Sequence, residues 1–194
     1  TPETRGVILS GGPNSVYAPD APQIPDPIIN SGLPILGICY GMQALTHKLG
    51  GVVSPSEHHE YGQTQIEVLV PNKLLSEPEM TVLMSHGDRI IQPPAGWRVI
   101  ARSTNSPVAA MADFVHKRFG LQFHPEAHPT PDGIEIFRHF VIDICRCQPD
   151  WTSESIIQEA ADSIRQQVGK GRVLSAVSGG VDSSVATTLV QHAL

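Results

Sequence analysis

The chain has 194 residues, enough for one domain or for one domain and part of another. Its 40% hydrophobic content, with 17 glycines and 17 prolines, fits a globular, loop-rich fold and excludes a low-complexity or disordered chain. A formal charge of −6 argues against a general nucleic-acid or membrane-surface role, which needs a basic face; a local anion site built from backbone N–H groups stays open.

Three cysteines, Cys39, Cys145 and Cys147, are too few for a disulfide framework, and free thiols point to a reducing, cytoplasmic setting. No run of about 18 apolar residues and no signal peptide stand out. The sequence opens on Thr1 and stops on Leu194 within an apolar helical pattern, which reads as a fragment cut at both ends.

Taken in chain order, Gly6 to Ser10 is a short apolar run closed by Gly11, Gly12 and Pro13, the pattern of a buried strand and turn. A helix is expected over about Gln23 to Asn30 and a second buried strand over Pro34 to Ile38. From Tyr40 to Leu49 the apolar residues Met42, Ala44, Leu45 and Leu49 recur at helical spacing, and Gly50 and Gly51 end the run. Strands are expected at Gln65 to Val70, Thr81 to Met84, Trp97 to Ala101, Val108 to Met111 and Phe119 to Phe123, and an amphipathic helix over Ile134 to Ile144. After Cys147 the character changes. A turn-like linker leads to a helix capped by Thr152 or Ser153 and running to about Val168. A strand at Arg172 to Val177, a Gly/Ser loop and a helix from about Asp182 then suggest the start of a new domain.

Three segments carry chemistry. In Gly37 to Gly41 (GICYG), Cys39 stands between a buried strand and a helix, with glycine two positions to either side. This is the cysteine counterpart of a nucleophile elbow, and the helix N-terminus favours an anion there. The N–H of Tyr40 would point toward an oxyanion forming beside Cys39. In FHPE, His124 closes a strand and Glu126 follows two residues on, so that in extended backbone both side chains project to one side and the carboxylate can orient the imidazole. A thiolate, a base and an orienting carboxylate are the parts that nucleophilic acyl transfer needs. The SGGP turn, Ser10 to Pro13, lets backbone N–H groups come close to a substrate. Cys145 and Cys147 with His139 offer too few well-placed ligands for a metal site, and none is expected. Trp97 and Trp151 read as packing anchors, and His58 and His59 as part of a solvated loop.

Together SGGP, GICYGMQ and FHPE resemble, in order and spacing over about the first 147 residues, the oxyanion strand, the elbow and the His–Glu pair of class I glutamine amidotransferases. The resemblance implies a flavodoxin-like α/β fold. Its sheet would be mostly parallel, with helices on both faces and reactive groups at the carboxyl ends of strands. The family's first strand and helix, normally ahead of SGGP, are absent from this sequence. The implied roles are Cys39 as nucleophile, His124 as base and acid, Glu126 as its orienter, and the N–H groups of Gly12 and Tyr40 as oxyanion hole. Gln43, Ser85, His86 and Gly87 would hold glutamine.

Within the family, SGGPNSVYAPDAP, HEYG at His59 to Gly62, MSHGD at Met84 to Asp88 and FHPEAHPTPDGIEIFRHFVIDIC resemble the branch that serves GMP synthesis. SGGVDSS (Ser178, Gly179, Gly180, Val181, Asp182, Ser183 and Ser184), after RVLSAV, resembles the pyrophosphate-binding loop of ATP pyrophosphatases. The implied organisation is an amidotransferase domain over residues 1–147 and, over 148–194, a linker and the beginning of a synthetase domain. ATP with Mg2+ and XMP would be used by a full-length enzyme, whereas the glutaminase half needs no cofactor and this fragment would not complete GMP formation. Neither nucleic acid nor membrane is an expected partner, and a homodimer through segments absent from this chain stays open. Another class I amidotransferase, a non-catalytic module on the same fold and a cysteine peptidase or γ-glutamyl hydrolase are the competing readings.

Overall fold

The computed structural model describes residues 3–128 and 130–194, apart from the side chains of Glu57 and His58. It divides into two compact units, Thr1–Cys147 and Gln148–Leu194.

The first unit is built on a seven-stranded sheet in the order β1-β2-β7-β6-β5-β3-β4. Its strands are β1 (Val7–Leu9), β2 (Ile35–Ile38), β3 (Val52–Val68), β4 (Glu79–Gln92), β5 (Arg98–Arg102), β6 (Ala110–Asp113) and β7 (Arg118–Leu121). β1, β2 and β7 run parallel, and every pairing from β7 through to β4 is antiparallel. The flavodoxin-like α/β class holds, with a mixed sheet in which the parallel portion is the three strands that carry the sequence motifs.

β2 and β7 are short apolar runs because both their faces are covered, whereas β1, at the sheet edge, leaves Ile8 exposed. Leu36, Ile38, Phe119 and Leu121 pack on one face against Ile136, Phe140 and Ile144, with Phe119 edge-on to Phe140 at 6.5 Å between ring centres. On the opposite face Ile35 meets Tyr40, Ala44 and Leu45 of α2 (Tyr40–Lys48). Each fully buried residue of this kind stabilises the fold by about 1.5–3 kcal/mol. Helix α3 (Gly133–Arg138) covers the first face and passes directly into a wider π turn, His139–Ile144, where the Cys145 N–H donates to the Phe140 carbonyl at 2.9 Å. The extra residue per turn keeps Phe140, Ile144 and Cys145 all on the buried side. The expected Gln23–Asn30 helix shrinks to α1, Asp26–Ile29, as its prolines remove N–H donors.

The antiparallel half differs more from expectation. Gln65–Val70 and Thr81–Met84 belong to two long strands that pair from Val52↔Gln92 to Glu67↔Glu79, with register shifts after Val52 and between Pro55 and Glu60. The backbone of His58 and His59 therefore lies in a strand, where a solvated loop was expected. Polar sequence concealed this because one side of the hairpin faces solvent.

In the second unit, α4 (Ser153–Val168) starts with a reciprocal cap. The Thr152 hydroxyl accepts from the Ser155 N–H at 3.1 Å, and the Ser155 hydroxyl accepts from the Thr152 N–H at 2.9 Å. α5 (Val181–Ala193) packs on it, and Arg165 Nε donates to the Ala193 carbonyl at 2.8 Å. Arg172 to Val177 is not a strand: it has no regular structure, and Leu174 is 98% exposed. A strand needs a neighbour to take its ladder hydrogen bonds, and none of the described residues offers one. Trp151 is 70% exposed, so of the two tryptophans only Trp97 packs on a core cluster.

Candidate active site

The parallel strands deliver the motifs to one place. Leu9 pairs with Gly37 and Ile38 with Leu121, so β1, β2 and β7 end level, and SGGP, Cys39 and His124 follow at the same carboxyl edge. Cys39 is the single residue between β2 and α2. Its N–H donates to the Leu121 carbonyl at 2.7 Å, and its backbone is turned to φ 49°, ψ −107°. A non-glycine residue avoids that conformation, at a cost of roughly 1–3 kcal/mol. The turn is forced by close approach: a Cβ at position 41 would lie 2.1 Å from the Leu9 carbonyl oxygen, and one at position 37 would lie 2.7 Å from the Gly41 backbone. Only glycine at both positions lets α2 start so near the sheet and lift Cys39 above it.

His124 leaves β7 through a turn and not through extended backbone, since the Ala127 N–H donates to the His124 carbonyl at 3.3 Å. The pairing expected from the sequence forms all the same: His124 Nδ1 lies 2.6 Å from Glu126 Oε1. The loop is clamped by its own buried threonine. Thr130 donates its hydroxyl to the His124 carbonyl at 2.8 Å and accepts from the Leu83 N–H at 3.0 Å. The His124 pKa is raised from 6.5 to about 9, first by its hydrogen bond with Cys39, with partial burial opposing and Glu126 adding. Cys39, His124 and Glu126 thus form one connected set, in which the imidazole stays protonated beside the sulfur.

A cleft of about 650 Å³ opens above this set. Gly12, Cys39, Gln43, Ser85, His86, Gly87 and His124 all line it. Glu126 stands behind His124, and Tyr40 turns its phenol away to donate to the Pro22 carbonyl at 2.7 Å, leaving only its backbone at the helix start. Cys39 itself is 6% exposed, and its thiol faces the Ser85 carbonyl at 3.7 Å. A larger groove of about 690 Å³, lined by Gln65, Glu67, Arg89 and Arg102, contains none of these groups. The arrangement suits attack by a thiolate on a small carbonyl substrate whose leaving group is protonated by His124.

Ser178 to Ser184 lies in the second unit. Gly179 takes φ +84°, α5 begins at Val181, and the hydroxyls of Ser183 and Ser184 donate to the Gly180 carbonyl at 3.0 and 2.8 Å. The Ser178 and Ser183 hydroxyls stand 3.1 Å apart, and Asp182 falls in the first helical turn.

Comparison with known proteins decides the family. The model of the class I glutamine amidotransferases matches residues 2–144. The chain belongs to that family. It is 53% identical over 192 residues to the glutamine-hydrolysing GMP synthase of Thermomicrobium roseum, covering 98% of this chain and 36% of that protein. It is 52% identical over 193 residues to the enzyme of the same name from Dehalococcoides mccartyi, again covering 98% and 36%. The chain therefore spans about a third of the length of these relatives. Among solved structures, a Thermoplasma acidophilum protein assigned to GMP synthase superposes with a TM-score of 0.66 at 29% identity, covering 81% of this chain and 77% of that one. A glutamine amidotransferase from Thermotoga maritima shares the fold, with a TM-score of 0.58 at 21% identity and coverage of 99% and 71%.

Around the cleft, further residues join those that the sequence marked. Gln122, fully buried two residues before His124, donates to Cys39 Sγ at 3.9 Å. Gln43 Nε2 donates to the Asp88 carbonyl at 3.1 Å and approaches Gln122 Oε1 at 3.4 Å. The Asp88 carboxylate accepts from the Tyr17 hydroxyl at 2.7 Å, tying the loop after β1 to β4. His59 stacks on Tyr61, and both line the cleft from β3. Gln122 could have been flagged by its place next to FHPE. The Tyr17–Asp88 and Gln43–Asp88 contacts depend on partners far away in sequence.

Proposed function

We propose that this chain hydrolyses the side-chain amide of glutamine, as the amidotransferase portion of a GMP synthase. The observation that carries the reading is the strained Cys39 elbow coupled to the His124–Glu126 pair at the floor of a cleft lined by backbone and amide groups. The high identity to GMP synthases over nearly the whole chain supports the choice of branch.

Cys39 Sγ attacks the carboxamide carbon, and the N–H groups of Gly12 and Tyr40 receive the negative charge on the oxygen. His124 gives its proton to the departing nitrogen, and ammonia leaves a γ-glutamyl thioester. The neutral imidazole then takes a proton from water, which attacks the thioester and releases glutamate and Cys39. Glu126 holds the ring in the orientation both steps need. Gln43 and the backbone at Ser85, His86 and Gly87 hold the amino-acid end of the substrate. In the longer protein, ATP with Mg2+ activates XMP, and ammonia converts it to GMP. The loop from Ser178 to Ser184 contributes backbone N–H groups and hydroxyls to the pyrophosphate. Reducing cytoplasm is the setting that suits three free thiols.

The test is to treat the purified chain with a glutamine-mimicking electrophile and record intact mass, with Cys39→Ala in parallel and circular dichroism as the folding control. A single adduct that is lost in Cys39→Ala and blocked by excess glutamine is the expected result. A folded chain that takes no adduct, or one protected by γ-glutamyl peptides and not by glutamine, would overturn the reading.

A further inference from the structure

Behind the cleft lies a buried charged cluster that the reaction does not itself use. Glu60, on β3, and His86, on β4, are each 5% exposed, and Glu60 Oε2 lies 3.1 Å from His86 Nε2. The same carboxylate accepts from the Ser106 hydroxyl at 2.5 Å and from the Ser103 hydroxyl at 2.8 Å, both in the connection between β5 and β6. Burial pushes the Glu60 carboxyl up, and the bonds from His86, Ser106 and Ser103 outweigh it, so that it lies below its ordinary value. A buried carboxylate held by so many donors is rigid, and removing one partner from such a network is felt throughout it.

The network ends on the wall of the cleft. His86 Nδ1 donates to the Asp88 carbonyl at 3.0 Å, and that same carbonyl accepts from Gln43 Nε2 at 3.1 Å. Gln43 approaches Gln122, Gln122 donates to Cys39 Sγ, and the Cys39 thiol faces the Ser85 carbonyl. Backbone 85–88 is thereby tied at one end to the nucleophile and held from behind by one carboxylate. Glu60 faces inward on the same side of β3 as Ile66 and Val68, just past the register shift that begins at Pro55.

We propose that Glu60 is a positioning residue for the substrate's amino-acid end: acting through His86, it fixes the Ser85–Asp88 backbone at the spacing glutamine requires and leaves the intrinsic reactivity of Cys39 alone. The inference rests on the glutamine reading of the cleft, and its test separates the two.

Cys39 is modified in the wild-type chain and in Glu60→Gln by two reagents, a glutamine-mimicking chloroketone, which must fill the amino-acid end, and iodoacetamide, which does not. In Glu60→Gln the chloroketone rate should fall about tenfold, the scale of a lost charge-assisted hydrogen bond, while the iodoacetamide rate stays within about twofold. Ser106→Ala, which keeps the Glu60–His86 contact, should lower the chloroketone rate alone by roughly threefold. Equal losses with both reagents would mean a general distortion of the elbow and overturn the proposal, as would no loss with either. A wild-type chain that reacts with iodoacetamide at Cys39 and ignores the chloroketone would sink the glutamine reading, and this inference with it. If Glu60→Gln does not fold by circular dichroism, Ser106→Ala and Ser103→Ala decide by the same comparison.

Discussion

Replacing Gly41 by alanine puts the elbow under direct load. The new methyl would sit 2.1 Å from the Leu9 oxygen, 2.7 Å from its carbon and 2.8 Å from its Cβ, where ordinary contact begins at 3.4 Å. Relief therefore needs a separation of about 1.3 Å between the start of α2 and β1. Neither side yields easily. Leu9 is held in register with Gly37, and the first two turns of α2 are buried from Tyr40 to Thr46. Overpacking of this kind destabilises by about 1–3 kcal/mol, which lowers Tm by roughly 2–4 °C for each kcal/mol in a chain of this size. The catalytic effect should be larger. Cys39 rides on the moving segment, and misplacement by about 1 Å costs on the order of a hundredfold in rate. Thermal unfolding of Gly41→Ala and the rate of Cys39 modification by the glutamine mimic measure the two effects separately. A variant with unchanged Tm and a labelling rate within about twofold of wild type would refute the claim that close approach at Gly41 sets the elbow.

Three further outcomes are expected. Because folding raises the His124 pKa from 6.5 to about 9, the protonated ring contributes stability that is fully present below about 6.5 and is lost as pH rises through about 9. Tm should therefore fall over that window in the wild type and fall less in Cys39→Ala, since the Cys39 bond is the largest cause of the shift; parallel curves would contradict this. Glu126→Gln should lower the His124 pKa, seen by NMR titration of its ring, and slow turnover; an unmoved titration would show that Glu126 does not hold the ring. Thr152→Ala should cost about 1 kcal/mol of helix stability in the second unit, read as faster amide exchange in the first turn of α4, and unchanged exchange would deny the cap its role.

What the sequence made legible was local. Cys39 is marked by glycines two residues away on each side, and Glu126 lies two residues from His124, so a short window contains both the residue and the reason for it. β2 and β7 were legible because burial on both faces makes them continuous apolar runs. Legibility ended where a residue's partner lies far along the chain. Glu60 meets Ser106 across 46 residues and Tyr17 meets Asp88 across 71, and nothing near either residue announces the pairing. The long β3–β4 hairpin was hidden for a related reason, since its polar, half-solvated residues lack a strong apolar period. The error at Arg172–Val177 ran the other way, because an apolar run specifies a strand only when a partner strand is present to bond it.

The backbone angle at Cys39 has a meaning for how such chains change over generations. At φ 49°, ψ −107° the polypeptide prefers glycine to any residue with a side chain, so cysteine is held at this position against the local steric preference. Drift without selection for the thiol would run toward glycine, losing the reaction while easing the turn. A chain of this fold with glycine at position 39 would then read as one that has kept the scaffold and abandoned the chemistry, and a retained cysteine as the signature of a lineage in which the thiol is still in use.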